Sequence, residues 1–156
     1  MNRNGLPEGE RLIRAMGIGY QLRRAFMALH RPLRAAIAPL GITPDQYVVL
    51  WVLNAHGEQT QREIHERIHS DGNTVAAVLG RMERKGWVRR ARDARDGRAR
   101  RVRITPAGQG MRRRVFAVAR LFHRKALASL GAAEREALFD ALYRLYRSIE
   151  KNGRKP

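Results

Sequence analysis

A mainly α fold carrying a small β-hairpin is predicted by three features of this chain. Six stretches place apolar residues at helical spacing, two short strands around a turn interrupt that rhythm, and positive charge gathers about the interruption.

The first helix is expected from about Glu10 to Pro39, where Leu12, Met16 (or Ile13), Leu22, Phe26 and Leu29 mark an apolar stripe. Gly17 and Gly19 weaken it, and Pro32 is expected to kink it or stop it briefly. Leu40-Gly41-Ile42-Thr43-Pro44 is a stop followed by a restart, with Thr43 as N-cap and Pro44 at the first helical position. The second helix, about Pro44 to Asn54, carries Tyr47, Leu50, Trp51 and Leu53. A third runs roughly from Gln61 to Ile68. A turn at His69-Ser70-Asp71-Gly72 leads to a fourth, about Gly72 to Lys85, which Asp71 caps and Gly86 ends. Its apolar residues Val75, Val78, Leu79 and Met82 repeat at i, i+3, i+4 and i+7.

Strands are expected at Trp87-Val88-Arg89-Arg90 and Arg101-Val102-Arg103-Ile104, around the turn-prone Arg95-Asp96-Gly97-Arg98. Val102 and Ile104 point inward in this hairpin, and Arg101 and Arg103 outward. Thr105-Pro106 opens a fifth helix with Met111, Val115, Val118 and Phe122 on one face. After Leu130-Gly131 a sixth helix carries Leu138, Leu142, Leu145 and Ile149, and the last residues, Asn152 to Pro156, are expected to fray. The order is α1-α2-α3-α4-β-hairpin-α5-α6.

Formal net charge is +18, from 32 basic and 14 acidic residues. Between Arg81 and Lys125 there are 17 Lys or Arg against three acids, Glu83, Asp93 and Asp96. An Arg-rich codon usage would spread its excess along the whole chain; this local concentration is the footprint of a polyanion binder. Cysteine is absent, which excludes disulfides and thiolate zinc sites and is compatible with a reducing cytosol. No apolar run approaches the roughly 20 residues of a membrane span, and no secretory signal opens the chain, so a cytoplasmic protein without membrane contact is expected. No phosphate loop, nucleophile elbow, HExxH or paired-carboxylate arrangement stands out, and neither an enzyme nor a cofactor is expected.

The third and fourth helices form a helix-turn-helix, and the hairpin behind them makes it winged. In such a motif the second helix enters the major groove while the first braces it across the backbone. With its apolar positions turned inward, the fourth helix presents Asn73, Ala77, Gly80 and Arg84, flanked by Thr74, Ala76 and Arg81. Arg reads guanine and Asn reads adenine bidentately, and Thr bonds a phosphate or packs on a thymine methyl. Asp71 and Gly72 lie at the helix N-terminus, where free N–H groups hold a phosphate. Gln61 and Arg62 belong to the bracing helix.

The run from Asp93 to Gly108, DARDGRARRVRITPAG, resembles the wing signature D-x-R-D-x-R-x-x-x-V-x-[LI]-T-x-x-G of the MarR family of bacterial transcription regulators. Leu40 to Tyr47, Thr60 to Ile64 and Arg81 to Val88 resemble further family segments. The resemblance implies a homodimer on double-stranded DNA, probing an inverted-repeat operator with half-sites about one helical turn (~10 bp) apart. The recognition helix, with Asp71, Gly72, Asn73, Thr74, Ala77 and Arg81, would enter the major groove. The wing, with Arg92, Asp93, Arg95, Asp96, Arg98 and Arg100, would send a tip arginine into the minor groove. It further implies repression, nucleoid association when DNA-bound, and release by a small aromatic anion near Tyr20, Arg24, His30, Tyr47 and Trp51, although Tyr47 and Trp51 also suit a core. Residues 1–42 would form a dimerisation helix, 43–106 the winged region and 107–156 the C-terminal dimerisation helices, all in one compact domain. Departures are His65, where a small Ala is usual, Ala76 and Ala77 for Thr and Arg, and Gly80 for Asp. His65 and His69 stand one turn apart without a clear third ligand, so no metal is expected. A non-specific or architectural DNA-binding protein is the alternative, and an RNA-binding protein a more distant one.

Overall fold

The computed structural model describes residues 9, 16–92 and 100–153. Leu12 and Ile13, the wing residues Asp93, Arg95, Asp96 and Arg98, and the end of the tail lie outside the described residues. The chain divides into two compact units, Met1–Ala119 and Arg120–Pro156.

In the first unit, α1 (Gly17–Ile37) passes into a 3₁₀ turn (Ala38–Leu40). Of the two outcomes expected for Pro32, a kink or a brief stop, the stop does not occur, and Pro32 lies inside the helix. Proline removes one hydrogen bond to the carbonyl four residues back, here Ala28. Both residues are exposed, so water can satisfy that carbonyl. Helix α2 (Pro44–His56) starts as expected from Thr43. The Thr43 Oγ1 accepts from Gln46 N at 3.3 Å, and Gln46 Oε1 accepts from Thr43 N at 3.1 Å. This reciprocal cap lets Gln46 sit almost wholly buried with its amide oxygen engaged.

A strand that the sequence pattern does not announce follows: β1 (Gln59–Thr60). It pairs with the second hairpin strand, Gln59 opposite Val102 and Thr60 opposite Arg101. Two residues show no alternation to detect, and the pairing partner is about 40 residues away. Helix α3 (Gln61–Ile68) has its own capping box, with Glu63 Oε2 accepting from Thr60 N at 2.6 Å and Thr60 Oγ1 accepting from Glu63 N at 3.2 Å. Those Thr60 hydrogen bonds hold the Glu63 carboxyl below the usual carboxylate range.

Helix α4 (Gly72–Arg84) is followed by β2 (Val88–Arg92) and β3 (Arg100–Ile104), which form with β1 an antiparallel sheet of order β1-β3-β2. The register sets Val88 against Ile104, Arg89 against Arg103, Arg90 against Val102 and Arg92 against Arg100. Helix α5 (Pro106–Ala126) begins in the first unit and ends in the second. The core joins Ile37, Leu50, Leu53, Ile64, Val75, Leu79, Met82, Val102 and Val115, all buried, with Ile104 packed against them. Thus one apolar stripe from each helix and one face of the sheet close over a common interior. Val88, Val102 and Ile104 face it, as the alternation requires.

The second unit contains the end of α5 and α6 (Ala132–Gly153). Glu134 Oε2 accepts from Gly131 N at 2.6 Å, and Arg135 Nε donates to Leu130 O at 2.9 Å, so the turn is tied to the start of α6. Among the described residues, no single helix is long and apolar enough to cross a membrane.

Candidate nucleic-acid interface

Helix α4 starts where Asp71 accepts from Thr74 twice, Oδ1 from the backbone N at 2.8 Å and Oδ2 from Oγ1 at 2.6 Å. These bonds hold the Asp71 carboxyl below its ordinary range and keep the N-terminal turn in one geometry. Before it, His69 adopts a left-handed φ of 50° that ends α3 and turns the chain. Burying Val75, Val78, Leu79 and Met82 leaves Gly72, Asn73, Ala77, Arg81 and Arg84 exposed, with Thr74 and Ala76 half-buried at the edges. Of the face predicted for base reading, Asn73, Ala77 and Arg84 are exposed and Gly80 is half-buried. On α3, Arg62 is exposed and pairs with Glu66 at 3.0 Å, while Gln61 is half-buried.

The α4 terminus is joined to the sheet at several points. Trp87 N donates to Met82 O at 2.9 Å and Gly86 N to Glu83 O at 2.9 Å, with Gly86 at a left-handed φ of 68° that a side chain disfavours. Glu83 Oε2 accepts from Arg90 Nε at 2.8 Å and from Nη2 at 2.5 Å. Arg90 thereby holds the Glu83 carboxyl below the usual carboxylate range. Lys85 Nζ donates to Gly41 O at 2.5 Å and lies 4.6 Å from the centre of the Trp87 ring.

The base of the wing is closed by the T-x-x-G segment. Thr105 N donates to Trp87 O at 3.0 Å, Thr105 Oγ1 donates to Gly86 O at 2.5 Å, and Gly108 N donates to Thr105 Oγ1 at 3.0 Å. A Cβ on Gly108 would overlap the Trp87 carbonyl and lie 2.8 Å from Ile104 Cγ1. Threonine and glycine at this spacing are therefore structural requirements of helix-to-sheet packing.

Arg92 and Arg100, expected in the wing, are exposed and directly opposite each other. The cross-strand pair Arg89 and Arg103 on the other face is also exposed, and neither guanidinium bonds to another described residue. Sequence reasoning singled out neither as a site residue, although the period-2 pattern places Arg103 outward. Every exposed residue of the described hairpin except Ala91 is an arginine.

The residues expected around an effector are dispersed in character. Tyr47 is 6% exposed and belongs to the core; burial pushes its phenol up, partly countered by a hydrogen bond with Trp51. Trp51 is 40% exposed and meets the Phe116 ring edge-on at 5.6 Å. On α1, Tyr20 and Arg24 are exposed, and His30 is half-buried against Phe26 at 5.1 Å. A cleft of about 290 Å³ beside Arg24 is lined by Gln21, Arg24, Ala25 and Ala28, and the other four expected residues are not among its walls. His65 keeps its Nδ1 buried without a hydrogen-bond partner among the described residues. No group of three or more metal-ligating side chains occurs among the described residues.

Two short helices joined by a turn, α3 and α4, followed by an arginine-bearing hairpin on one core define a winged helix-turn-helix protein. The MarR family model matches residues 40–99, from the end of the 3₁₀ turn through α2, α3, α4 and β2 up to the residue before β3, and the chain belongs to the MarR family of transcription regulators. It is 35% identical over 85 residues to the HTH-type transcriptional regulator TtmR of Methylorubrum extorquens, a match covering 54% of this chain and 44% of that relative. The chain thus spans less than half the length of TtmR. A solved structure described as a "probable transcriptional regulator from Pseudomonas aeruginosa" is 33% identical, with TM-score 0.70 over 82% of this chain and 96% of that one. BpsR of Bordetella bronchiseptica, whose DNA binding is described as regulated by 6-hydroxynicotinic acid, is 25% identical, with TM-score 0.75 over 82% and 97%.

Proposed function

We propose that this chain acts as a homodimeric repressor in the cytoplasm. It reads an inverted-repeat operator with α4 in the major groove and wing arginines in the minor groove. The observation that carries the reading is the free face of α4: Asn73, Ala77 and Arg81 are exposed on a helix whose opposite side is wholly in the core. Asp71, Gly72 and Thr74 position its first turn against a phosphate, Gln61 and Arg62 brace it, and Arg92, Asp93, Arg95, Asp96, Arg98 and Arg100 supply the wing contact.

Dimerisation is supported by the apolar side chains that the single chain leaves in water. Phe26 (59% exposed) and Met27 (52%) on α1, with Phe139 (59%), Tyr143 (62%) and Ile149 (61%) on α6, exceed the scattered apolar exposure of a monomer. A two-fold axis through such surfaces gives two reading helices one helical turn apart. An aromatic carboxylate is the proposed effector. Trp51 and Phe116 supply ring contact, Tyr20, His30 and Tyr47 lie on the two helices concerned, and Arg24 supplies charge; the regulation of BpsR by an aromatic acid supports that class.

The test is a titration with the intergenic DNA upstream of the protein's own gene and with scrambled duplex of equal length, at two salt concentrations. Preference for the upstream DNA by roughly 10³-fold or more, at two chains per site, is expected of the regulator. Equal affinity for both duplexes, falling together as salt rises, would replace it with a non-specific DNA coat.

A further inference from the structure

We propose that the outer face of the β2–β3 hairpin, led by Arg89 and Arg103, is a second phosphate-binding surface that grips duplex DNA flanking the operator. The inference rests on the DNA-binding reading above and adds a contact that neither α4 nor the wing tip supplies.

The register sets Arg89 directly opposite Arg103. Cβ atoms of directly opposite residues stand about 4.5–5.5 Å apart, so two cations share one small patch and repel each other. Arg90 on the inner face meets Glu83, but neither Arg89 nor Arg103 has any hydrogen bond or ion pair with a described residue. Arg101, their neighbour on the outer face, approaches Glu58 O at 3.4 Å, and Ala91 opposite it leaves open space. A like-charged pair that weakens the sheet and meets no internal partner is suited to an external anion. Each guanidinium offers a two-donor fork suited to the oxygens of a phosphodiester.

Two features choose DNA over an acidic peptide. The patch offers no exposed aromatic or aliphatic anchor, since Trp87 and Val88 are buried, whereas peptide sites draw affinity from such anchors. A phosphate backbone needs only charge and hydrogen-bond donors. The pair also lies three residues, about 10 Å, along the strands from Arg92 and Arg100 and on the opposite face of the hairpin, so it adds a second cationic face to the element proposed to meet the DNA backbone.

The test uses the full chain and the double variant Arg89→Ala/Arg103→Ala, whose folding is verified by an unfolding midpoint equal to or above the wild type. Affinity is measured across a salt series on two duplexes, the operator alone and the operator extended by one helical turn (about 10 bp) on each side. Wild type is expected to bind the longer duplex about 10-fold more tightly and with a steeper salt dependence. Removing the neutralisation of one phosphate lowers the log–log slope by about 0.9. The double variant is expected to treat both duplexes alike while keeping its affinity for the short one. A variant that retains the length advantage and the slope overturns the proposal, as does a wild type indifferent to length. A slope that depends on Arg89 and Arg103 on random duplex, without operator preference, would leave this surface standing and remove the regulator reading.

Discussion

Arg90 reaches back from the first hairpin strand to the last turn of α4, its Nε 2.8 Å and its Nη2 2.5 Å from the same Glu83 carboxylate oxygen. The backbone N–H of Arg90 also donates to the other oxygen at 3.2 Å. Helix and wing are thereby tied at one carboxylate.

Removing that carboxylate with Glu83→Ala is expected to cost about 1 kcal/mol, kept small by solvent screening of a side chain 37% exposed, and to lower Tm by about 2–4 °C. The Glu83 carboxyl is held below its ordinary value of 4.5, so its contribution is fully present above that pH and is lost as pH falls through the lower folded value. Urea unfolding from pH 6 down to pH 3 checks this: Glu83→Gln should show a shallower loss of stability over that window than the wild type.

Gly108→Ala and Gly80→Ala should move stability in opposite directions. At Gly108 the obstacle is the Trp87 backbone carbonyl, which cannot swing aside, so a loss of about 2–3 kcal/mol is expected. At Gly80 the nearest atom is the flexible Arg84 Nη1 at 3.9 Å, and alanine should raise stability by about 0.5–1 kcal/mol through helix propensity. Calorimetry on the two variants gives the comparison directly.

Asn73→Ala and Arg81→Ala are each expected to weaken operator binding by about 1–3 kcal/mol, roughly 5- to 150-fold, and to relax preference at one base position. Arg62→Ala should weaken all duplexes about equally and flatten the salt dependence. Competition assays on a set of single-base operator variants separate base reading from phosphate contact.

An aromatic carboxylate bound beside α2 is expected to quench the emission of Trp51, which is 40% exposed, more than that of the buried Trp87. Fluorescence titration of the wild type and Trp51→Phe checks this; the same saturable quench in both proteins would place the ligand elsewhere.

The helical scaffold and the hairpin were legible in the sequence because each carries local signals. Thr43, Asp71 and Thr105 announce helix starts, and Val88, Val102 and Ile104 alternate with arginines. The exposed side of α4 was legible for the same reason, since four apolar residues at helical spacing turn the other side into the core. What escaped depends on distant chain. Strand β1 exists because Gln59 and Thr60 meet Val102 and Arg101. Glu83–Arg90 and Lys85–Gly41 are pairings of side chains whose partners only the folded backbone brings near.

The Thr105 hydroxyl donates to the Gly86 carbonyl and accepts from Gly108 N, at the point where the Thr105 backbone holds Trp87. Helix, strand and following helix thus share one knot at the base of the described hairpin. If α4 and the hairpin meet DNA as proposed above, a displacement of α5 at Thr105 or Gly108 is passed to the end of α4 and to the first hairpin strand together.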